Sequence, residues 1–248
     1  MNKLPQEIAD HISKYLSHDD LKNTLLLSRE WQYAAEQYSE EFADFTLTIN
    51  NDFKFLSTYS GRRFRYLKNV TFETSLPELE LDDDAEDDCR ETANELKSLD
   101  QYFTRQIYFL FSTLKAVETC LGNVFETRLG NANGPRKLHL TIYTPTREII
   151  DSGYCLHRYF VSWRMHLLSP STIPSLISVR SLTVHGWEVG FANDDTGLRK
   201  LDYRVLLDIS SQLPNLNFLQ CKLGADEWTG SFKSKELSYI THDWEGPR

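Results

Sequence analysis

The chain has 248 residues, 40% apolar, 12% aromatic and 25% charged, a composition close to the globular average that excludes a disordered or collagen-like chain. That length suffices for one large or two modest domains with a core that needs no disulfide staples. Lys and Arg number 27 against 36 Asp and Glu, a formal charge of -9, the wrong sign for a protein that works by neutralising nucleic-acid phosphates or anionic lipid.

From the N-terminus, Leu4, Ile8, Ile12, Tyr15 and Leu16 fall at steps that draw one apolar stripe along a helix. Pro5 sits where a first-turn proline is tolerated, and Glu7 places a negative charge near the positive end of the helix dipole. Ser17 to Asp20 supplies breakers and N-cap candidates before a second apolar stretch of Leu21, Leu25, Leu26 and Leu27. Ser28 can cap a third helix carrying Trp31, Tyr33, Ala34, Ala35 and Tyr38. Three short amphipathic helices in so small a unit carry more apolar surface than they can bury among themselves, so a partner surface is expected.

The run Leu4-Pro5-x-Glu7-Ile8, Ile12-x-x-Tyr15-Leu16, Asp20-Leu21, Leu25-x-Leu27-Ser28-Arg29-x-Trp31 closely resembles the F-box. The resemblance covers Leu4 to Tyr38, within an F-box unit of residues 1–40, and implies docking on a Skp1-type adaptor, which joins a cullin and a RING subunit, while the rest of the chain selects a protein for ubiquitination. Carried over by position, Leu4, Pro5, Ile8, Ile12, Leu16, Leu21 and Trp31 would make or support the adaptor interface. Leu27 stands where the family often has Val, a small change of apolar volume. The alternative from residues alone is a helical cap over the following domain.

Over residues 41–248 a template, apolar-x-x-apolar-x-apolar, recurs with strand-like alternation at Phe42 to Leu47, Leu67 to Phe72, Pro135 to Leu140, Val179 to Val184 and Leu216 to Cys221. The triplet Asn69-Val70-Thr71 falls in the second copy and reads as a buried strand. Helices are expected between copies: from Leu96 to Leu121 in unbroken steps of three and four, from Tyr159 to Leu168, and from Tyr203 to Leu213. The expected fold is α/β: a three-helix F-box followed by an irregular, leucine-rich-repeat-like solenoid of strand–helix units. The copies start at 42, 67, 135, 179 and 216, and only the first spacing matches a usual repeat length. Ser75, Tyr143, Trp187 and Gly224 stand where such repeats carry Asn. An ordinary α/β domain with a mixed sheet is the alternative.

Eight of the eleven residues from Glu78 to Asp88 are acidic, so an acidic insertion loop is expected at about 75–91, self-repelling and solvated, or else a lure for a basic substrate. Gly130 to Pro135 is a second expected loop. Arg62-Arg63-Phe64-Arg65 is either a solvated turn or a basic partner site. The ending Thr241 to Arg248 lacks the capping unit a solenoid needs, which suggests a short or truncated relative of longer fungal F-box proteins.

For chemistry the chain offers little. Cysteines at 89, 120, 155 and 221 form no C-x-x-C pair, so neither a metal site nor thiol exchange is expected, and free thiols fit a reducing compartment. There is no Gly-x-Ser-x-Gly, the seven histidines are scattered, and for His185 beside Gly186-Trp187 the sequence identifies no base or orienting residue, so it reads as a half-buried loop histidine. Gly130 and Gly134 precede a strand and lack the Lys-Ser of a phosphate loop. Trp163, Trp187, Trp228 and Trp244 serve equally as core or as interface anchors. The first residues do not form a signal peptide, and the run Ile107 to Phe111 is too short to cross a bilayer.

The function these features point to is non-catalytic: a substrate receptor of an SCF-type (Skp1-cullin-F-box) ubiquitin ligase, intracellular in cytoplasm or nucleus. No cofactor, metal, nucleic acid or membrane partner is expected, and the protein substrate is unknown. Two other readings are an F-box protein that binds the adaptor without joining a ligase, and an enzyme domain fused to an F-box.

Overall fold

A computed structural model describes residues 4–77, 93–128, 137–148, 164–185, 196–198 and 201–222. It opens with three helices, α1 (Gln6–Ser13), α2 (His18–Thr24) and α3 (Arg29–Tyr38). The carbonyl of Pro5 starts α1 by accepting from the amides of Ile8 and Ala9 at 3.1 and 3.2 Å, so the proline precedes the first turn and its missing N–H costs nothing. Ser17 Oγ accepts from the Asp20 amide at 3.2 Å, and Ser28 Oγ from the Trp31 amide at 3.4 Å. Both are the expected caps, each filling an orphan donor of a helix first turn.

The interior of this unit is small-residued: Ala9 and Ser13 of α1, Leu21 and Thr24 of α2, Ala34 and Ala35 of α3 are buried. Small side chains let the helix axes approach closely. The expected apolar stretch of the second helix divides in two. The helix ends at Thr24, so Leu21 alone turns inward, while Leu25, Leu26 and Leu27 follow in an exposed turn.

Five parallel strands follow: β1 (Asp44–Leu47), β2 (Asn69–Ser75), β3 (Leu138–Glu148), β4 (Val179–His185) and β6 (Phe218–Lys222). They lie side by side in chain order, and the short β5 (Thr196–Leu198) pairs antiparallel with the far end of β3. Each parallel strand contains the end of one copy of the sequence template, so that pattern marked every parallel strand described. In register, Phe45, Val70, Leu140, Leu182 and Leu219 form one row, and Leu47, Phe72, Ile142, Val184 and Cys221 the next. Strand periodicity of two aligns each row on one face.

That face carries the core. Helix α5 (Ala93–Arg128) lays Phe103, Ile107, Leu110, Phe111, Leu114 and Val117 into the same cluster as Val70, Phe72, Leu140 and Ile142. Their spacing of three and four is the stripe read from the sequence. At one end α4 (Asp52–Tyr59) packs on β1 through Phe45, Phe55 and Tyr59, with ring centroids 5.0–5.6 Å apart. Burial, and then the charge of Asp44, pushes the Tyr59 hydroxyl up to about 12. At the other end α6 (Tyr203–Ser211) contributes Val205, Leu206 and Ile209. A polar clasp closes β2: the side-chain amide of Gln106 accepts from the Ser75 N–H at 3.0 Å and donates to its carbonyl at 2.7 Å. Gln106 thus replaces the strand neighbour that β2 lacks there.

One helix expectation is corrected. Of the helix read over 159–168, residues 159–163 lie outside the described residues, and 164–168 run extended, with Met165 bridged to Leu201. Their apolar side chains alternate, Met165 and Leu167 buried, which is strand periodicity in a stretch too short to distinguish from helix by pattern. The acidic run 78–88, the loop 130–135, Trp163, Trp187, Trp228, Trp244 and the ending 241–248 lie outside the described residues.

Candidate functional site

The predicted stripe of α1 does form, and it faces outward. Leu4, Pro5, Ile8 and Ile12 are exposed, and Tyr15 beyond the helix end is 72% exposed. The helix buries its opposite side, Ala9 and Ser13, against α3. Sequence periodicity defines an apolar face without saying whether that face is covered from within the chain or from outside.

Of the other residues predicted to make or support an interface, Leu16 and Trp31 are half-buried, and Leu21 belongs to the interior of the unit. Leu21 therefore packs inside the unit and is not part of its exposed face. The structure adds Leu25, Leu26 and Leu27, of which Leu26 is 93% exposed. Three consecutive leucines before a capping serine were the signal for this turn, because one helix face cannot hold three successive residues. Solvent-facing apolar side chains grouped on one small unit mark an interaction surface more often than isolated ones do.

The unit joins the sheet body through charge. Glu36, on α3 and only 3% exposed, receives Arg62 Nη2 and Arg63 Nη2 at 2.8 Å each. The Arg62 guanidinium lies 3.9 Å from the centroid of the Tyr33 ring, and that of Arg63 4.4 Å from that of Phe42. Tyr66 Oη donates to the Tyr33 carbonyl at 3.2 Å. The basic run 62–65 is thus an internal fastening in a 3₁₀ turn (Arg62–Tyr66), with Arg65 stacked on Tyr66 at 4.8 Å. It is not a free partner site, and two of its arginines are more than a solvated turn.

The sheet face opposite the helices is polar. Thr46, Thr71, Thr141, Thr183 and Gln220 make one row across all five parallel strands. Towards the strand starts, Asn69 Nδ2 donates to Asp44 Oδ1 at 2.5 Å, and His139 Nδ1 lies 2.7 Å from Ser181 Oγ. Towards the strand ends, Glu73, Tyr143, His185 and Lys222 are in register, and the rings of Tyr143 and His185 stand 5.1 Å apart. Burial holds His139 below the usual histidine range.

Among the described residues no group of His, Cys, Asp and Glu is placed to hold a metal ion, and no helix is long and apolar enough to cross a membrane. Cys120 and Cys221 are exposed and form no disulfide among the described residues. Compared with protein-family models, with curated proteins and with solved structures, the chain matches none.

Proposed function

We propose that the chain is the substrate-recognition subunit of an SCF-type ubiquitin ligase, with residues 1–40 acting as an F-box that docks on a Skp1-type adaptor. The observation that carries the reading is the outward orientation of Leu4, Ile8, Ile12 and Tyr15 on a unit whose own packing is satisfied by alanines and small polar residues. A helical cap over the body would turn its apolar stripe inward. Here α3 faces the body with Glu36 and Tyr33, and the apolar side of α1 is left for a partner.

The body then holds the protein to be modified. Five parallel strands in chain order, with helices on one face and a polar row of threonines on the other, support a leucine-rich-repeat-like arrangement in which the strand face receives the substrate. The contribution to catalysis is proximity: the substrate is held near a charged ubiquitin-conjugating enzyme.

Co-expression of the full chain with a Skp1-type adaptor and cullin, followed by purification on the adaptor, tests the assignment. Recovery of adaptor and cullin together is expected. Recovery of adaptor without cullin would favour a receptor-like protein outside a ligase, and recovery of neither would remove the F-box reading.

A further inference from the structure

We infer that Ser169 is a phosphorylation site for a proline-directed serine/threonine kinase, and that its phosphate is received by Arg105 on the neighbouring helix α5. This inference is independent of adaptor docking.

Two Ser/Thr-Pro pairs occur in the chain, Thr144-Pro145 and Ser169-Pro170, and they differ in access. The Thr144 hydroxyl is buried within β3, so modifying it requires opening the sheet. Ser169 is exposed, and its side chain makes no capping hydrogen bond to the short 3₁₀ turn Pro170–Thr172 that follows it. Its carbonyl is the occupied group, accepting from the Thr172 amide at 3.0 Å and the Thr172 hydroxyl at 2.8 Å. The turn is therefore held by backbone while the Ser169 hydroxyl stays available. Ser169 also sits at φ 51°, a left-handed conformation costly for a residue with a side chain, which lowers the cost of rearranging it in a kinase cleft.

The surroundings suit an added anion. Ser169 and Thr172 share an open groove of about 490 Å³ with Gln101, Thr104 and Arg105 of α5. The chain leading into Ser169 is fixed to α5 at two points, where the His166 amide donates to Asp100 Oδ1 at 2.8 Å and, nearer the groove, where the Leu168 amide donates to Thr104 Oγ1 at 2.9 Å. Ser169 and Arg105 are the immediate sequence neighbours of Leu168 and Thr104. Arg62, Arg63, Arg164, Arg180 and Arg204 each engage a carboxylate or a carbonyl. Arg105 makes no side-chain hydrogen bond or ion pair among the described residues. A phosphoserine brings a charge of about -1.5 to -2 and three acceptor oxygens, and an arginine fork matches them with charge-assisted bonds.

In the transfer, Ser169 Oγ attacks the γ-phosphorus of a nucleoside triphosphate. The Oγ–P bond forms, the bond from that phosphorus to the β–γ bridging oxygen breaks, the nucleoside diphosphate leaves, and the hydroxyl proton passes to the kinase base. The product pins the extended segment from Arg164 onward more firmly to α5.

The test incubates the native full chain with magnesium ATP and a proline-directed kinase, maps the product by mass spectrometry, and compares melting temperatures. One phosphate at Ser169 is expected, with none at Thr144, and it disappears in S169A. Phosphorylation should raise the melting temperature by about 2–4 °C, the shift expected for about one kilocalorie in a domain of this size, and R105Q should accept the phosphate but lose the rise. Absence of incorporation into the native chain, with incorporation at Ser169 after unfolding, would overturn the site. An equal rise in R105Q would overturn Arg105 as the receiving group.

Discussion

Glu36 Oε1 lies 2.8 Å from Arg63 Nη2, and its other carboxylate oxygen lies 2.8 Å from Arg62 Nη2, so one buried acid fastens the N-terminal helices to the sheet body. The two sides of this contact are unequal. Glu36 is 3% exposed, while the arginine side chains are about one-third exposed. Removing the arginines leaves a carboxylate without compensation in a dry site, whereas removing the acid leaves two cations that still reach water. The joint variant R62A/R63A should therefore lose about 3–5 kcal/mol of stability, and E36A about 1–3 kcal/mol, as measured by urea unfolding. Equal losses would contradict this asymmetry.

Gln106 presents both halves of its amide to the backbone of Ser75. Gln106→Leu keeps the bulk but orphans an N–H and a C=O, which should cost about 1–3 kcal/mol and speed hydrogen exchange at the Ser75 amide. Gln106→Glu can still accept but cannot donate when ionised, so it should fall between the two and recover on acidification. Thermal melts of the three proteins check the order.

Two half-buried titrating groups give opposite pH dependences. His139 is held below 6.5 by burial: the unfolded chain takes up its proton first, so the contribution present above 6.5 is lost as pH falls through the folded value. Asp100 is raised above 3.8, chiefly by burial. Its contribution is complete below 3.8 and is lost as pH rises through the folded value. Melting temperature should thus fall as the pH drops from neutrality through 6.5 towards the lower folded value of His139, and H139Q should flatten that decline. A decline of unchanged size in H139Q would assign it to other groups.

The hydroxyl of Ser13 is buried between helices with no hydrogen-bond partner among the described residues. Ser13→Ala removes that unmet group and suits the helix better, so a gain of about 1 kcal/mol is expected. A loss on calorimetry would show that the hydroxyl has a partner.

Much of this fold could be read from residue order. The template ending at Leu47, Phe72, Leu140, Val184 and Cys221 located all five parallel strands because a strand buried on one face must alternate. The long helix α5 declared itself by steps of three and four, and Ser17 and Ser28 declared the helix starts. What was not legible depended on distant partners. Met165 and Leu167 alternate over too few residues to distinguish strand from helix. The fate of Arg62 and Arg63 was set by Glu36, 26 and 27 positions away. At the candidate surface, the sequence supplied the apolar residues, but the direction they face followed from Ala34 and Ala35, which leave room only for the small side of α1.

The docking surface is tested most directly at exposed side chains, whose replacement costs the fold little. Leu26, 93% exposed, and Ile8 should each be replaceable by Asp with stability changed by less than about 0.5 kcal/mol for Leu26 and about 1 kcal/mol for Ile8. Affinity for a purified Skp1-type adaptor is then measured by titration calorimetry for the wild-type chain, I8D, L26D and the double variant. Measurable binding by the wild-type chain is expected, with at least about tenfold weaker binding in each single variant and about a hundredfold weakening in the double. Undiminished binding by a folded I8D/L26D chain, or no binding by the wild-type chain, would contradict this docking surface.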